Sequence, residues 1–138
     1  MINTAEEFIR LRSSEIEEEY RRAAHEEAPL YVWLEVVEKY PDYREWVAHN
    51  KTIPLEVLEM LADDPDERVR HAVAFKNKLP EELQLRLARD PNESVRLRIA
   101  CNKNSSKSAL ELLQNDECEP VRERATERLL ADKFKNDL

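Results

Sequence analysis

A spacing of 26 residues governs the middle of this chain. Val69-Arg70 returns as Val95-Arg96 and again as Val121-Arg122. Asp64-Pro65 returns as Asp90-Pro91, with Asp116-Glu117 in the third place. Pro54 returns as Pro80, and Val73-Ala74 as Ile99-Ala100. A fixed period in this range marks a stacked array, in which each unit covers the apolar face of its neighbour. Such arrays present long surfaces, so binding another macromolecule is the expected mode of action.

Composition narrows the choice of unit. The 138 residues contain no glycine. Tight hairpins, dinucleotide folds and phosphate-cradling loops all need residues at positive φ, where glycine is favoured. Short helices joined by proline and asparagine turns remain. Apolar residues make up 41% and charged residues 38% of the chain. That suits a folded array with much exposed surface. The net charge is −8, of which −5 falls in residues 1–40, where Glu15, Glu17, Glu18 and Glu19 cluster on a predicted solvated helix face. Acidity works against non-specific nucleic-acid binding and steers a basic protein partner.

Each period reads as two short helices. Val57, Leu58 and Leu61 form an apolar stripe after Pro54, which suits the first helical position; Leu83 and Leu87, then Ala109, Leu110 and Leu113, repeat it. Small Ala62 and Ala88 permit close helix approach. Asp64, Asp90 and Asp116 are expected N-caps of the second helices, with Glu67, Glu93 and Glu119 completing acidic capping boxes and Pro65 and Pro91 at the first helical position. Val69 with Val73, and Val95 with Ile99, are the expected buried stripe. Asn50, Asn77 and Asn102 or Asn104 are expected to end these helices in the left-handed conformation.

The pattern extends backward more faintly. Tyr43-Arg44-Glu45-Trp46-Val47-Ala48 lies over the segment from Val69 to Ala74, and residues 30–40 form an earlier first helix. Thr4 and Glu7 form another capping box, opening a helix over about residues 5–11. The whole chain reads as a single domain, irregular over 1–53, regular over 54–122, and closed by a capping helix over 119–133, with residues 134–138 frayed. The N-terminus is acidic and has no apolar stretch, which argues against a signal peptide, and no segment is long enough to span a bilayer.

The string PLEVLEMLADDPDERVRHAVA resembles the HEAT-repeat consensus and is similar to the bacterial variant leucine-rich repeat. The resemblance covers about residues 20–130 and is strongest over 54–122. It implies an all-α fold, a right-handed superhelix of about five helical pairs. In HEAT repeats an aspartate and an arginine six residues apart form a ladder between units. The matching residues are Asp64 and Arg70, Asp90 and Arg96, and Asp116 and Arg122. Variant leucine-rich repeat proteins can carry a cysteine-rich iron–sulfur segment. This chain has only Cys101 and Cys118, so that cofactor is not implied.

No catalytic or metal pattern emerges. His25, His49 and His71 are the only histidines, and neighbouring repeat helices lie about 8–10 Å apart. A zinc site needs ligands converging at about 2 Å. Cys101 has no evident base, and the two cysteines form no disulfide framework, so a reducing, cytoplasmic setting is expected. No Gly-rich loop, serine elbow or metalloprotease string occurs. No cofactor, metal or small-molecule substrate is implied.

Binding residues are better sought in the columns that change between repeats. On the second helices these are Glu45/His71/Leu97/Glu123, Trp46/Ala72/Arg98/Arg124 and His49/Phe75/Cys101/Glu127. By the resemblance these helices line a concave face. The candidate protein-binding residues are therefore Trp46, His49, His71, Phe75, Leu97, Arg98, Cys101 and Glu123. Aromatic and arginine content fits an interface hot spot, while Trp46 and Phe75 also suit ordinary core positions. The expected function is non-enzymatic protein binding, with an inhibitor or immunity-type protein against a basic partner as the sharper form. The alternatives are a repair-like nucleic-acid binder using Arg21, Arg22, Arg98, Arg124 and Lys76, and a scaffold of an enzyme complex.

Overall fold

The computed structural model describes residues 1–136, with side chains as far as residue 132. These residues form ten α-helices and one 3-10 turn, Pro41–Tyr43, and no strand. In chain order the helices are α1 (Ala5–Ser13), α2 (Glu17–His25), α3 (Leu30–Lys39), α4 (Arg44–His49), α5 (Leu55–Ala62), α6 (Glu67–Ala74), α7 (Glu81–Leu87), α8 (Glu93–Cys101), α9 (Lys107–Leu113) and α10 (Glu119–Asn136). They gather into two compact units, Met1–Val73 and Ala74–Leu138.

The first unit stacks one helical hairpin on another. α1 packs along α2, α3 packs on α4, and the hairpins meet like on like, α1 against α3 and α2 against α4. Helix α5 packs on α4. Thr4 caps α1 through its hydroxyl, which accepts from the Glu7 amide at 3.0 Å. The core comes from the apolar stripes. Phe8 and Trp33 are fully buried and meet edge to face at 5.2 Å. Val32, Trp33, Val36 and Val37 of α3 are buried, as are Val57, Leu58, Leu61 and Ala62 of α5. These two sets lie 25 residues apart, so the period persists with one residue fewer.

The second unit repeats the arrangement. α7 pairs with α8 and α9 with α10, while α7 packs on α9 and α8 on α10. Leu83, Leu87, Leu110 and Leu113 fill the first-helix seam, and Val95, Ile99, Val121 and Ala125 fill the second-helix seam, all at most 1% exposed. Burial of each such leucine contributes about 1.5–3 kcal/mol. Packing thus holds together helices of seven to nine residues that are too short to persist alone.

Several local expectations are corrected. Pro54 and Pro80 stand one residue before their helices, as N-caps whose carbonyls accept the first helical amides. Pro65 and Pro91 lie before α6 and α8 rather than at their first positions. The aspartates Asp64, Asp90 and Asp116 are not the N-caps. They sit two residues earlier, and each carboxylate accepts the amide two residues on, from Asp66, Asn92 and Cys118, at 2.9 Å. This Asx turn sets the entry angle of the chain. The residue just before the helix then caps it: Asp66 accepts from Arg68 N at 2.9 Å, and Asn92 from Ser94 N at 2.8 Å. Glu67, Glu93 and Glu119 consequently open their helices instead of closing capping boxes.

The asparagines also act differently. No residue among those described has positive φ. Asn50 and Asn102 end α4 and α8 in extended conformation, at φ −67°. Their side chains are buried and reach back across one period. Asn50 donates to the carbonyls of Ala23 and Glu26 at 2.8 and 3.1 Å, and Asn102 to those of Ala74 and Lys76 at 2.9 and 2.8 Å. An amide that ties two chain segments gains more than one that merely tolerates a left-handed turn, because it satisfies buried carbonyls. Helix α10 runs to Asn136, three residues past its expected end. Of the expected fray over 134–138, residues 137–138 lie outside those described.

Candidate functional site

The arginine–aspartate columns fix the backbone from which the variable columns project. Each arginine donates to the backbone carbonyl of the aspartate six residues before it: Arg70 to Asp64, Arg96 to Asp90 and Arg122 to Asp116, at 2.7–2.8 Å. The carboxylates of Asp64 and Asp116 take a different arginine, 20 residues earlier. Arg44 meets Asp64 at 3.3 Å, and Arg96 meets Asp116 with Nε at 2.8 Å and a second guanidinium nitrogen at 3.3 Å. A period of 26 turns an in-unit spacing of minus 6 into a cross-unit spacing of plus 20. Arg96 is therefore a double rung, bonded to a carbonyl on one side and to a carboxylate on the other. Arg96 is held above its ordinary pKa, chiefly by its hydrogen bond to Asp116. Arg44 occupies the arginine column one period before Arg70 and belongs to the same device.

Other buried polar groups are also structural. Gln84 stands in the apolar column of Leu58 and Leu110. Its amide donates to the carbonyls of Leu79 and Asn104 and accepts from Ser106 N, stitching the loop before α9 to α7. The Arg128 guanidinium covers the end of α8, donating to the carbonyls of Ala100, Asn102 and Lys103. Burial lowers its pKa from the usual arginine value.

The variable columns gather into a separate group in each unit. In the first unit, Trp46 and His49 are half-buried on α4, with ring centroids 5.5 Å apart. The Arg12 guanidinium of α1 lies 3.5 Å from the centre of the Trp46 ring. Arg12, Ser14, Tyr20, Ala24, Trp46 and His49 line a cavity of about 470 Å³. Its wall at Ser14 is braced: the serine hydroxyl donates to Glu19 at 3.0 Å, and Glu19 accepts from Arg10 at 2.5 Å. Those bonds, Arg10 first, hold the Glu19 carboxyl below its ordinary pKa. His71 is half-buried on α6.

In the second unit, Phe75 is 52% exposed and the Arg98 guanidinium lies 4.7 Å from its ring centre. Arg98 Nε is buried and has no hydrogen-bond partner among the described residues. Leu97 and Cys101 are half-buried on α8, and both cysteines are free thiols. Arg124 is held above its ordinary pKa by Glu127 first and by Cys101 second. Glu123 is exposed on α10 and makes no ion pair among the described residues. The structure thus brings Trp46 together with His49, and Phe75 with Arg98.

Sequence reasoning missed Arg12, Tyr20, Gln84 and Arg128. A polar residue in an otherwise apolar column was the available signal for Gln84. Arg12 and Tyr20 lie outside the regular period, so no column pointed to them.

Stacked helical pairs, joined by a repeated arginine–aspartate rung, define a helical-repeat protein. The family model described as leucine rich repeat variant matches residues 41–66, one period of the chain, spanning the 3-10 turn, α4 and α5. Over that stretch the chain is similar to this family. The match begins inside the segment read as irregular. No curated protein matches the chain, and no solved structure does. No helix among the described residues is long and apolar enough to cross a membrane.

Proposed function

We propose that this chain is a non-enzymatic docking module that binds a protein partner through the second-helix faces of its two units. One observation carries the reading. Two aromatic rings of the variable columns each carry an arginine over a partly exposed face, Trp46 under Arg12 of α1 and Phe75 under Arg98 of α8. Aromatic and arginine side chains that are already packed lose little freedom on docking and dominate interface energies. The valine column at positions 69, 95 and 121, in contrast, is buried and uniform.

The net charge of −8 favours a basic partner, as an inhibitor or immunity-type protein would have. The two free thiols fit a reducing, cytoplasmic setting. A basic groove for nucleic acid is poorly supported. Arg21 is paired with Glu17, Arg22 with Glu26 and Arg124 with Glu127, so these cations are already neutralised.

Affinity capture from native lysate with mass spectrometry tests the proposal, using a Trp46→Ala plus Arg98→Glu variant as control. The expected result is a basic protein retained by the parent chain, released by rising salt and lost with the variant. An identical capture profile for both proteins overturns it. So does tight retention of duplex DNA in a low-salt filter assay.

A further inference from the structure

We infer that the cavity of the first unit is a carboxylate pocket, built to receive an acidic side chain of the partner flanked by apolar residues. This deepens the docking reading and rests on it for the source of the carboxylate.

Every arginine of that unit but one is met by an acceptor. Arg10 is met by Glu19, Arg21 by Glu17, Arg22 by Glu26, Arg44 by Asp64, Arg68 by Asp66, and Arg70 by the carbonyl of Asp64. Arg12 is the exception. It is half-buried, stacks on Trp46, and has no hydrogen-bond acceptor among the described residues. A chain with 30 acidic residues does not lack carboxylates to offer it. The nearest wall is instead closed off, because the Glu19 carboxylate is already held by Arg10 and Ser14. No carboxylate lines the cavity. No Arg12 nitrogen is both buried and unmet, so its donors face water and stand open to an incoming acceptor.

The ligand class follows from the same residues. A guanidinium centred 3.5 Å over an indole presents a planar fork, which matches a carboxylate with two parallel hydrogen bonds. One cation balances one carboxylate. A phosphate would bring a second negative charge to a chain already at −8, so it fits poorly. Trp46, Tyr20 and the alanines of α2 make most of the remaining wall apolar, with Ser14 and His49 its polar members, and about 470 Å³ accommodates a side chain with its neighbour. The second unit shows the same pattern in Arg98, stacked on Phe75 with Nε buried and unmet among the described residues.

The test is titration of the full chain with acetyl-Leu-Glu-Leu-amide, its Gln counterpart, and free 3-phenylpropionate. Indole fluorescence reports on the site, since Trp33 is fully buried and only Trp46 borders the cavity. Circular dichroism confirms that each variant is folded. The Glu peptide is expected to titrate Trp46 with an affinity about tenfold above that of the Gln peptide. Arg12→Gln should abolish that difference, and Arg12→Lys should restore part of it. Equal affinity for the two peptides, no titration by either, or discrimination that survives in folded Arg12→Gln overturns the inference. Titration by 3-phenylpropionate but not by the Glu peptide overturns it as well, because the carboxylate would then not come from a protein. Each of these failures leaves the capture experiment standing. Loss of capture specificity with peptide discrimination intact would instead sink the wider docking proposal.

Discussion

Arg96 and Arg122 occupy the same repeat position, yet replacing them should have very different effects. Arg96 is 11% exposed and Asp116 is 9% exposed. Arg96→Met removes two charge-assisted hydrogen bonds to Asp116, at 2.8 and 3.3 Å, and one to the Asp90 carbonyl at 2.7 Å. It leaves Asp116 buried with one remaining bond, from the Cys118 amide at 2.9 Å. Removing one member of a buried pair costs about 3–5 kcal/mol. The retained amide bond and the packing kept by the methionine stem place the expectation near the lower end, about 3 kcal/mol. Arg122 is exposed and donates to the Asp116 carbonyl at 2.8 Å. Arg122→Met should therefore cost about 0.5–1 kcal/mol. Urea unfolding followed by circular dichroism measures the difference. With an m value of about 2 kcal/mol/M, the midpoints of the two variants should lie about 1 M apart. Adding Asp116→Leu to Arg96→Met should recover much of the loss, because an apolar pair carries no stranded charge. If the two single variants fall within about 0.5 kcal/mol of each other, the double-rung reasoning is wrong.

Two further predictions use other buried polar groups. Asn102→Ala strands the carbonyls of Ala74 and Lys76 and should cost about 2 kcal/mol; Asn102→Asp, which cannot donate to them, should cost at least as much, both read as lowered Tm. Glu26 accepts from Arg22 at 2.6 Å and from the N-terminal amine at 2.5 Å, and these contacts, Arg22 first, hold its carboxyl at about 2 against an ordinary 4.5. A depressed carboxylate stabilises the fold above its unfolded pKa, so this contribution is fully present above about pH 5 and is lost as pH falls toward 2. Melting curves over that window should show a smaller acid-induced fall in Tm for Glu26→Gln than for the parent chain.

The repeat was legible because its seams are chemical constants. Valine or isoleucine at positions 69, 95 and 99, and leucine at 61, 87 and 113, recur wherever a buried helix face needs filling. Function was less legible for the same reason: a seam says nothing about what docks on the other face. By the resemblance, the arginines and aspartates six residues apart form a ladder between units. Within one unit, however, the guanidinium reaches the backbone, and the carboxylate it binds arrives only when the next helical pair packs beside it. Such a partner 20 residues away is set by tertiary packing. Asparagine at a helix end suggested a left-handed turn, because local propensity cannot show that a carbonyl one period back needs a donor. Trp46, Phe75 and Arg98 stood out as changes within a column. Arg12 did not, since α1 lies outside the regular period and only the folded first unit lays it on Trp46.

Within each unit, like helices of successive pairs lie side by side. Methyl NOE spectroscopy of the folded chain tests this directly. Cross-peaks should join Leu83 or Leu87 of α7 with Ala109 or Leu113 of α9, and Val95 or Ile99 of α8 with Val121 or Ala125 of α10. Spectra in which α7 and α8 methyls see only each other, with none reaching α9 or α10, would contradict it.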